Sequence, residues 1–503
     1  MAGSESPEIE RSYAVTDSTP IPPLCDLPGV ARVQRPQQFQ LYAVYFDTPE
    51  LLLAGQQIAL RRRTGGDDAG WHLTLPVSAD ERIEIHEPLG SDPALVPVRL
   101  RRLVEVHLRG RTLSPVATLS TRRTVRRLRG PHDEILALFC DDTVESARLT
   151  PTPLTQSWRE WELELVDGNS DLLDDADSLF ASAGAPRSDS PSTLATALGD
   201  HAPRRALPAP PPTASAGELL IAALGDALRE LVFHDPRVRE DLPDAVHRMR
   251  VAVTRIRAGL GTFPSLLSDE ARSQLRPELA WLGRTLGSIR DHDVVNRRLT
   301  ALLRAEPADL VLGPIAARME HQFGLDFEQA SAELRAALDS ERYFRLLDTL
   351  EAVVSGQWLA PLANSRAKNT LSRLLNHRIA ALRRAMRRAD AAIDSPTHDL
   401  ALHEVRKQAK RVRYAALVIS PLRPKRATRL VTVATAMQDS LGDHQDSVIA
   451  RQRLLRLSAD AHAVGENTLS YGRLHAIEQS RGEHSEAEYE GLRRRARQAL
   501  ARD

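Results

Sequence analysis

"VHRMRVAVTRIRAGL", residues 246–260, and "LHEVRKQAKRVRYAAL", residues 402–417, decide how the second half of this chain is read. On a helical projection of about 100° per residue, Arg406, Lys407, Lys410, Arg411 and Arg413 fall within roughly 80° of His403. Leu402, Val405, Ala409, Val412 and Ala416 take the opposite arc. The earlier stretch divides in the same way, with His247, Arg250, Arg255 and Arg257 facing Val246, Met249, Val253, Ile256 and Leu260. His and three Arg recur in the same order at the same spacing. A second pair of blocks follows, "LGSIRDHDVV" from 286 and "LGDHQDSVIA" from 441, in which Asp291 aligns with Asp446. Two matched blocks in the same order mark an internal duplication, and the period marks it as helical.

A solvated helix face normally mixes signs three and four residues apart for mutual support. Here only Glu404 interrupts the positive face of the second copy. Clustered cations repel one another unless a polyanion lies across them. The pair of helices is therefore expected to form one positive surface for an anionic ligand. Nucleic acid is disfavoured as that ligand, because the chain has no zinc-finger spacing and few aromatic residues for base stacking. A bare phosphate chain needs neither. The histidines, which charge near neutral pH, would tune affinity.

Upstream the period changes. "APRRALPAPPPTASAGE", 202–218, is rich in Pro and Ala and reads as a linker. Residues 170–200 read as helical. Before them come short β-rich runs separated by turn residues: "LYAVYFDT", "IALRRRT", "GWHLTLPV", "ERIEIHEPL", "ATLSTRRTVRRL", "ILALFCDDTV" and "WREWELELV". Charge alternates along several of them. Arg61 and Arg63 share a face, as do Arg82 and Glu84, Glu8 and Glu10, and Glu160, Glu162 and Glu164. Neighbouring carboxylates repel unless water, a cation or a base relieves them. An open sheet would turn that face to water, whereas a closed barrel would turn it inward around a polar ligand.

Composition sets the outer limits. The chain has 503 residues, 42% apolar and 27% charged, with a net charge of zero, which suits a soluble protein of more than one domain. Lysine occurs only at 368, 407, 410 and 425, so nearly all positive charge is arginine, whose planar fork fits phosphate and carboxylate oxygens. Cys25 and Cys140 are the only cysteines, too few for a disulfide framework or a cysteine metal cluster. No apolar run approaches the roughly 20 residues of a membrane span, and the start lacks a signal-peptide pattern. The expected location is cytoplasmic, without membrane contact.

The repeated blocks, together with "LAWLGRTLGSIRDHDV" and "MQDSLGDHQDSV", resemble a CHAD domain, the conserved histidine α-helical domain, over 218–500. That resemblance implies two pseudo-symmetric four-helix bundles whose basic surface binds inorganic polyphosphate. Its matching positions are His247, Arg250, Arg255, Arg257, His403, Arg406, Lys407, Lys410, Arg411 and Arg413. Association with polyphosphate granules would follow.

The first part, 5–200, joined through a linker at 201–217, resembles a CYTH domain, the triphosphate tunnel metalloenzyme fold. "EIERSY", "YFDTPELLLAGQQIALRRRTGG", "WHLTLP", "DDTV" and "WREWELEL" fall in family order. An α+β multidomain chain is thus expected, with an eight-stranded antiparallel β tunnel barrel before the all-α part. The resemblance implies a triphosphate small molecule gripped by Arg61, Arg63 and Arg122 or Arg123. It implies Mg2+ or Mn2+ held by Glu8, Glu10, Glu160, Glu162, Glu164 and Asp141 or Asp142, with Glu8, Glu10 and Glu162 catalytic. Two positions depart from the family pattern: Ser12 and Thr74 stand where lysines are usual. Losing two cations would weaken triphosphate binding by several kcal/mol, at roughly 1.5–3 kcal/mol per charged hydrogen bond.

Overall fold

The computed structural model describes residues 4–78, 80–150, 152–190, 192–203, 213–392 and 395–501. The chain divides into two compact units, 1–207 and 208–503. Most of the expected linker lies outside the described residues.

The first unit is a closed antiparallel barrel. Its strands are β1 (Ser4–Val15), β3 (Gln37–Asp47), β4 (Ala59–Thr64), β5 (Gly70–Pro76), β6 (Glu81–Pro88), β7 (Ser114–Arg129), β8 (Ile135–Arg148) and β9 (Leu154–Leu165). The order runs β7-β3-β4-β5-β6-β1-β9-β8, and β8 pairs back onto β7 to close the ring. A two-residue strand, β2 (Arg32–Val33), extends β7 beyond the end of β3. Closure removes the sheet edges and gives every strand an inside and an outside.

The period of two then sorts the side chains. On β9, Trp161 and Leu163 point out and are buried beneath α2 (Asp171–Ser182), against Phe139, Phe180 and Tyr13. Glu160, Glu162 and Glu164 alternate with them and point in. On β5, Trp71, Leu73 and Leu75 pack outward against α1 (Val98–Leu108). This helix lies between the β-rich runs read from the sequence, in a stretch for which no helix was expected. Leu100, Leu103, Val104 and Leu108 recur at helical spacing and are all buried, so the helix exists because it caps the apolar outside of β4–β6. A short helix, α3 (Thr193–Leu198), packs Leu194 and Leu198 against the inward residues Ala43, Tyr45 and Leu119. The buried Arg148 guanidinium fixes its end, donating to the Leu198 carbonyl at 2.7 Å.

The second unit is helical among the described residues. α4 (Ala216–Arg239), α5 (Ala245–Thr262), α6 (Asp269–Ala305) and α7 (Ile315–Leu338) form the first copy of the repeat. α9 (Ala367–Ala391), α10 (Ser395–Val418), α11 (Pro424–Ala463) and α12 (Leu469–Ala501) form the second, and α8 (Glu341–Val354) lies between the copies. Four-helix packing occurs twice, and each bundle draws one helix pair from each copy. α4 and α5 pack with α9 and α10. α6 and α7 share a core with α11 and α12, built from Leu299, Met319, Leu454 and Tyr471 among others. The copies therefore stabilise each other rather than standing as separate bodies. No helix among the described residues is long and apolar enough to cross a membrane.

Candidate functional site

Two charged regions stand out, one inside the barrel and one on the helical unit. The barrel encloses a cavity of about 770 Å³, lined by Glu8, Glu10, Arg61, Arg63, Arg123, Asp142, Glu162 and Glu164. Glu160 joins them through a buried trio: Asp142, Glu160 and Glu162 each bring one carboxylate oxygen within 4.8 Å of the others. The register explains the trio, since β8 and β9 place Asp142 opposite Glu160 and Cys140 opposite Glu162.

Adjacent residues that the sequence left as alternatives are separated by strand parity. Arg123 faces the cavity, where it donates to Asp142 at 2.6 Å and pairs with Glu162. Arg122 is exposed on the opposite face of the same strand and belongs to no tunnel site. Asp142 is buried inside, whereas Asp141 pairs with Arg159 at 2.8 Å on the outside. Ser12 and Thr74 both line the cavity, so the missing lysines leave short hydroxyls there.

Sequence reading passed over three inward groups. Arg82 lines the cavity and pairs with Glu10. Glu84 accepts from Arg61 at 3.0 Å and lies 3.0 Å from His72 Nδ1. His72 Nε2 sits 3.0 Å from the Asp68 carbonyl, which it reaches as donor. The signal was present in "ERIEIHEPL", where Arg82 and Glu84 already share a face.

Inward carboxylates outnumber inward guanidiniums, and their proton affinities reflect it. Burial, then the charge of Glu84, pushes Glu8 up to about 9. Burial and Glu162 push Glu10 to about 7 and Glu160 to about 8. Burial raises Asp142 to about 6 against the pull of Arg123. Burial would raise Glu162 as well, but Arg123 and Arg61 outweigh it and hold this carboxyl below its ordinary value. Burial lowers Arg63 to about 10, and the neighbouring Arg61 adds to this. His72 falls to about 4, chiefly through burial. The tunnel thus carries protons at neutral pH that a cation of higher charge would displace.

The helical unit presents the second region. Leu402, Val405, Ala409, Val412 and Ala416 are buried, leaving the basic arc of α10 outward. α10 packs against α5, so the two basic faces meet. Lys410 of the second copy feels Arg250 and Arg257 of the first as well as its own neighbours Arg406 and Arg413. Arg257 in turn feels Arg411, and Arg255 acts on Tyr414. Glu404 stands 3.9 Å from Lys407. Among the described residues, Arg406, Lys410, Arg411 and Arg413 have no carboxylate partner. Arg413 instead reaches the Gln438 amide oxygen at 3.4 Å. Glycines make room for this layer, since a Cβ on Gly283 would stand 2.9 Å from Arg257 and one on Gly442 would stand 3.2 Å from Arg406. His247 is exposed and His403 partly buried, and both hold protons more weakly than an ordinary histidine. Burial is the first cause, followed by Arg290 for one and by Lys407 and Arg406 for the other. Arg284 of α6 extends the positive field beyond the residues picked from sequence, and Arg290 of the same helix also acts on His247 but is paired with Asp293 at 2.9 Å.

Comparison with known proteins identifies both domains. A CYTH domain model matches residues 6–197 and a CHAD domain model matches 222–455. The Mycobacterium tuberculosis protein Rv2226 is 36% identical over 518 aligned positions, covering 99% of this chain and 98% of that protein. Among solved structures, PptA from Streptomyces chartreusis is similar at 23% identity over 56% of this chain and all of its own, with a TM-score of 0.48. The CHAD domain of the plant Ricinus communis is similar at 28% identity over 58% of this chain and 96% of its own, with a TM-score of 0.45. The chain belongs to the family of proteins that carry a CYTH domain followed by a CHAD domain.

Proposed function

We propose that the helical unit binds inorganic polyphosphate along the joined faces of α5 and α10, and that the barrel hydrolyses a triphosphate with Mg2+ or Mn2+. The observation that carries the binding half is the meeting of both basic faces, where Arg406, Lys410, Arg411 and Arg413 have no carboxylate partner among the described residues. Cations gathered this way repel one another, and a polyanion relieves that repulsion while releasing its own counterions. A bare phosphate chain follows a line of guanidiniums without needing base-stacking aromatics. Granule association would be a consequence of that affinity.

CYTH domains form a family of metal-dependent tunnel enzymes. The residues here suit a hard divalent cation, which takes carboxylate oxygens and bridges to phosphate. Glu160 Oε1 is buried without a hydrogen-bond partner, while its other oxygen accepts from Trp158 at 2.9 Å. Asp142, Glu160 and Glu162 would hold one cation, and Glu8 and Glu10 would supply further oxygens from the neighbouring strand β1. When bound, such an ion neutralises phosphoryl oxygens and acidifies water. Arg61, Arg63, Arg82 and Arg123 would orient the phosphate chain, and the carboxylates that keep their protons at neutral pH would release them on loading. Phosphate release from tripolyphosphate with Mg2+ or Mn2+ tests this half. Wild type should turn over and Glu10→Ala should lose at least about 100-fold; equal rates, or none from either, would refute it.

A second reading is a tunnel that holds phosphate without cleaving it. Ser12 and Thr74 favour it, and so do arginines already engaged by Glu84, Glu10, Asp142, Glu162 and Asp68. Binding of tripolyphosphate by calorimetry with no phosphate release would select this reading.

A further inference from the structure

Lys410 is placed unlike the other lysines. Lys368, Lys407 and Lys425 are exposed, whereas Lys410 is half-buried on α10. Arg406 and Arg413 flank it on its own helix, and Arg250 and Arg257 face it from α5. No carboxylate pairs with it among the described residues. An ammonium among four guanidiniums is repelled by them, and unlike them it can relieve that repulsion by shedding its proton. Burial first, then those arginines, push its pKa down to about 8. At pH 8 roughly half of such amines are neutral, against well under about 1% for an ordinary lysine. A neutral amine is a nucleophile, and the guanidiniums around it attract anions.

We propose that Lys410 is a modification site, acylated by acyl phosphates whose phosphoryl group is held by Arg250, Arg257, Arg406 and Arg413. This rests on reading the α5–α10 face as a phosphate-binding surface. The Nζ lone pair forms a bond to the acyl carbon. The bond from that carbon to the phosphate oxygen breaks, inorganic phosphate leaves with the electron pair, and the amine proton passes to it. No redox partner is needed. The product is an amide that cannot regain a charge, at the centre of the basic layer, so acylation weakens the grip on polyphosphate.

Acetyl phosphate is the probe, used on the full chain at pH 8 with each lysine quantified by peptide mass spectrometry. Exposure alone ranks Lys410 last. The proposal ranks it first, by about tenfold over Lys407, with polyphosphate protecting it and the acetylated fraction leaving a polyphosphate column at lower salt. N-acetoxysuccinimide, an uncharged acetyl donor, should lose most of that preference. Equal labelling of the lysines by acetyl phosphate overturns the proposal, and so does an unchanged ranking with the neutral reagent. Retention on polyphosphate with unselective labelling would leave the binding surface intact and remove only the modification. Selective labelling without retention would keep the modification and remove polyphosphate as the ligand.

Discussion

The tunnel and the α5–α10 face both depend on arginine, and arginine does opposite work in them. Inside the barrel every guanidinium picked out for phosphate is answered by a carboxylate: Arg61 by Glu84, Arg63 by Asp68, Arg123 by Asp142 and Glu162. On the helices Arg406, Arg411 and Arg413 have no such answer among the described residues. The same residue type therefore means a neutralised lattice in one place and stored repulsion in the other. The difference follows from the backbone. A closed barrel forces inward side chains of several strands into one low-dielectric space, where unpaired charge is prohibitive. A helix pair can leave its charged arc in water, where repulsion costs little and remains available to a ligand.

The sharpest break of that contrast is reversal of charge on the helices. Arg406→Glu with Arg413→Glu removes two charged contacts to a polyanion and adds repulsion. At roughly 1.5–3 kcal/mol per charged hydrogen bond, affinity for polyphosphate should fall about 100-fold or more. Fold, followed by circular dichroism, should persist, because both side chains lie outside the buried arc. Undiminished retention on immobilised polyphosphate would show that this face is ordinary solvated charge.

The tunnel should respond in stability rather than in affinity alone. Arg123→Ala strands Asp142 and Glu162 in the barrel interior. Breaking a buried pair from one side costs about 3–5 kcal/mol, measurable by urea unfolding of the first unit. Acid should restore part of the loss, since protonation removes the stranded charges. A cost under about 1 kcal/mol would mean that the tunnel arginines are as expendable as surface ones.

Much of this contrast was legible beforehand, and the gaps have physical causes. The repeat exposed the helical unit because His247 and His403 carry their neighbours at one spacing. Alternation exposed the barrel because Glu160, Glu162 and Glu164 need a polar interior. Strand parity could not be read where adjacent residues share a chemistry. Arg122 and Arg123, or Asp141 and Asp142, lie between the same partner strands and are told apart only by which face of the closed sheet each one takes. α1 was missed because its arginines hide a short apolar stripe that becomes meaningful only against β4–β6. The closure of the cavity by α3 depends on contacts with strands far away in sequence, such as Leu194 against Leu119, which local patterning does not encode.

A smaller effect separates the regions by pH. Glu8, Glu10 and Glu160 have folded-state pKa values raised to about 9, 7 and 8. Above the unfolded carboxylate range the unfolded chain ionises while the tunnel keeps its protons. Without metal, the barrel should therefore lose stability as pH rises from about 5 to 9. Mg2+ or Mn2+ competes with those protons, so its stabilisation should grow over the same window. At about 100-fold excess over Kd the gain is about 2.7 kcal/mol, or about 5–10 °C in Tm for a unit of this size. Calorimetric scans with and without metal at pH 6 and pH 8.5 read this directly. A shift that shrinks with pH would exclude these carboxylates as ligands.

The smallest predicted effect is the most exacting test of the barrel, because it contrasts neighbours. Arg122 and Arg123 share residue type, strand and sequence context, and differ only in the face they occupy. Arg122→Ala removes an exposed guanidinium on the outer surface. Such changes usually alter stability by less than about 0.5 kcal/mol, and tripolyphosphate binding should stay within about twofold. If the closed barrel is right, adjacent identical residues therefore differ by several kcal/mol on replacement. If the register were slipped by one residue, every side chain would change faces, and the two variants would exchange phenotypes. Urea unfolding of both single variants, side by side, decides between these outcomes without needing to know the substrate.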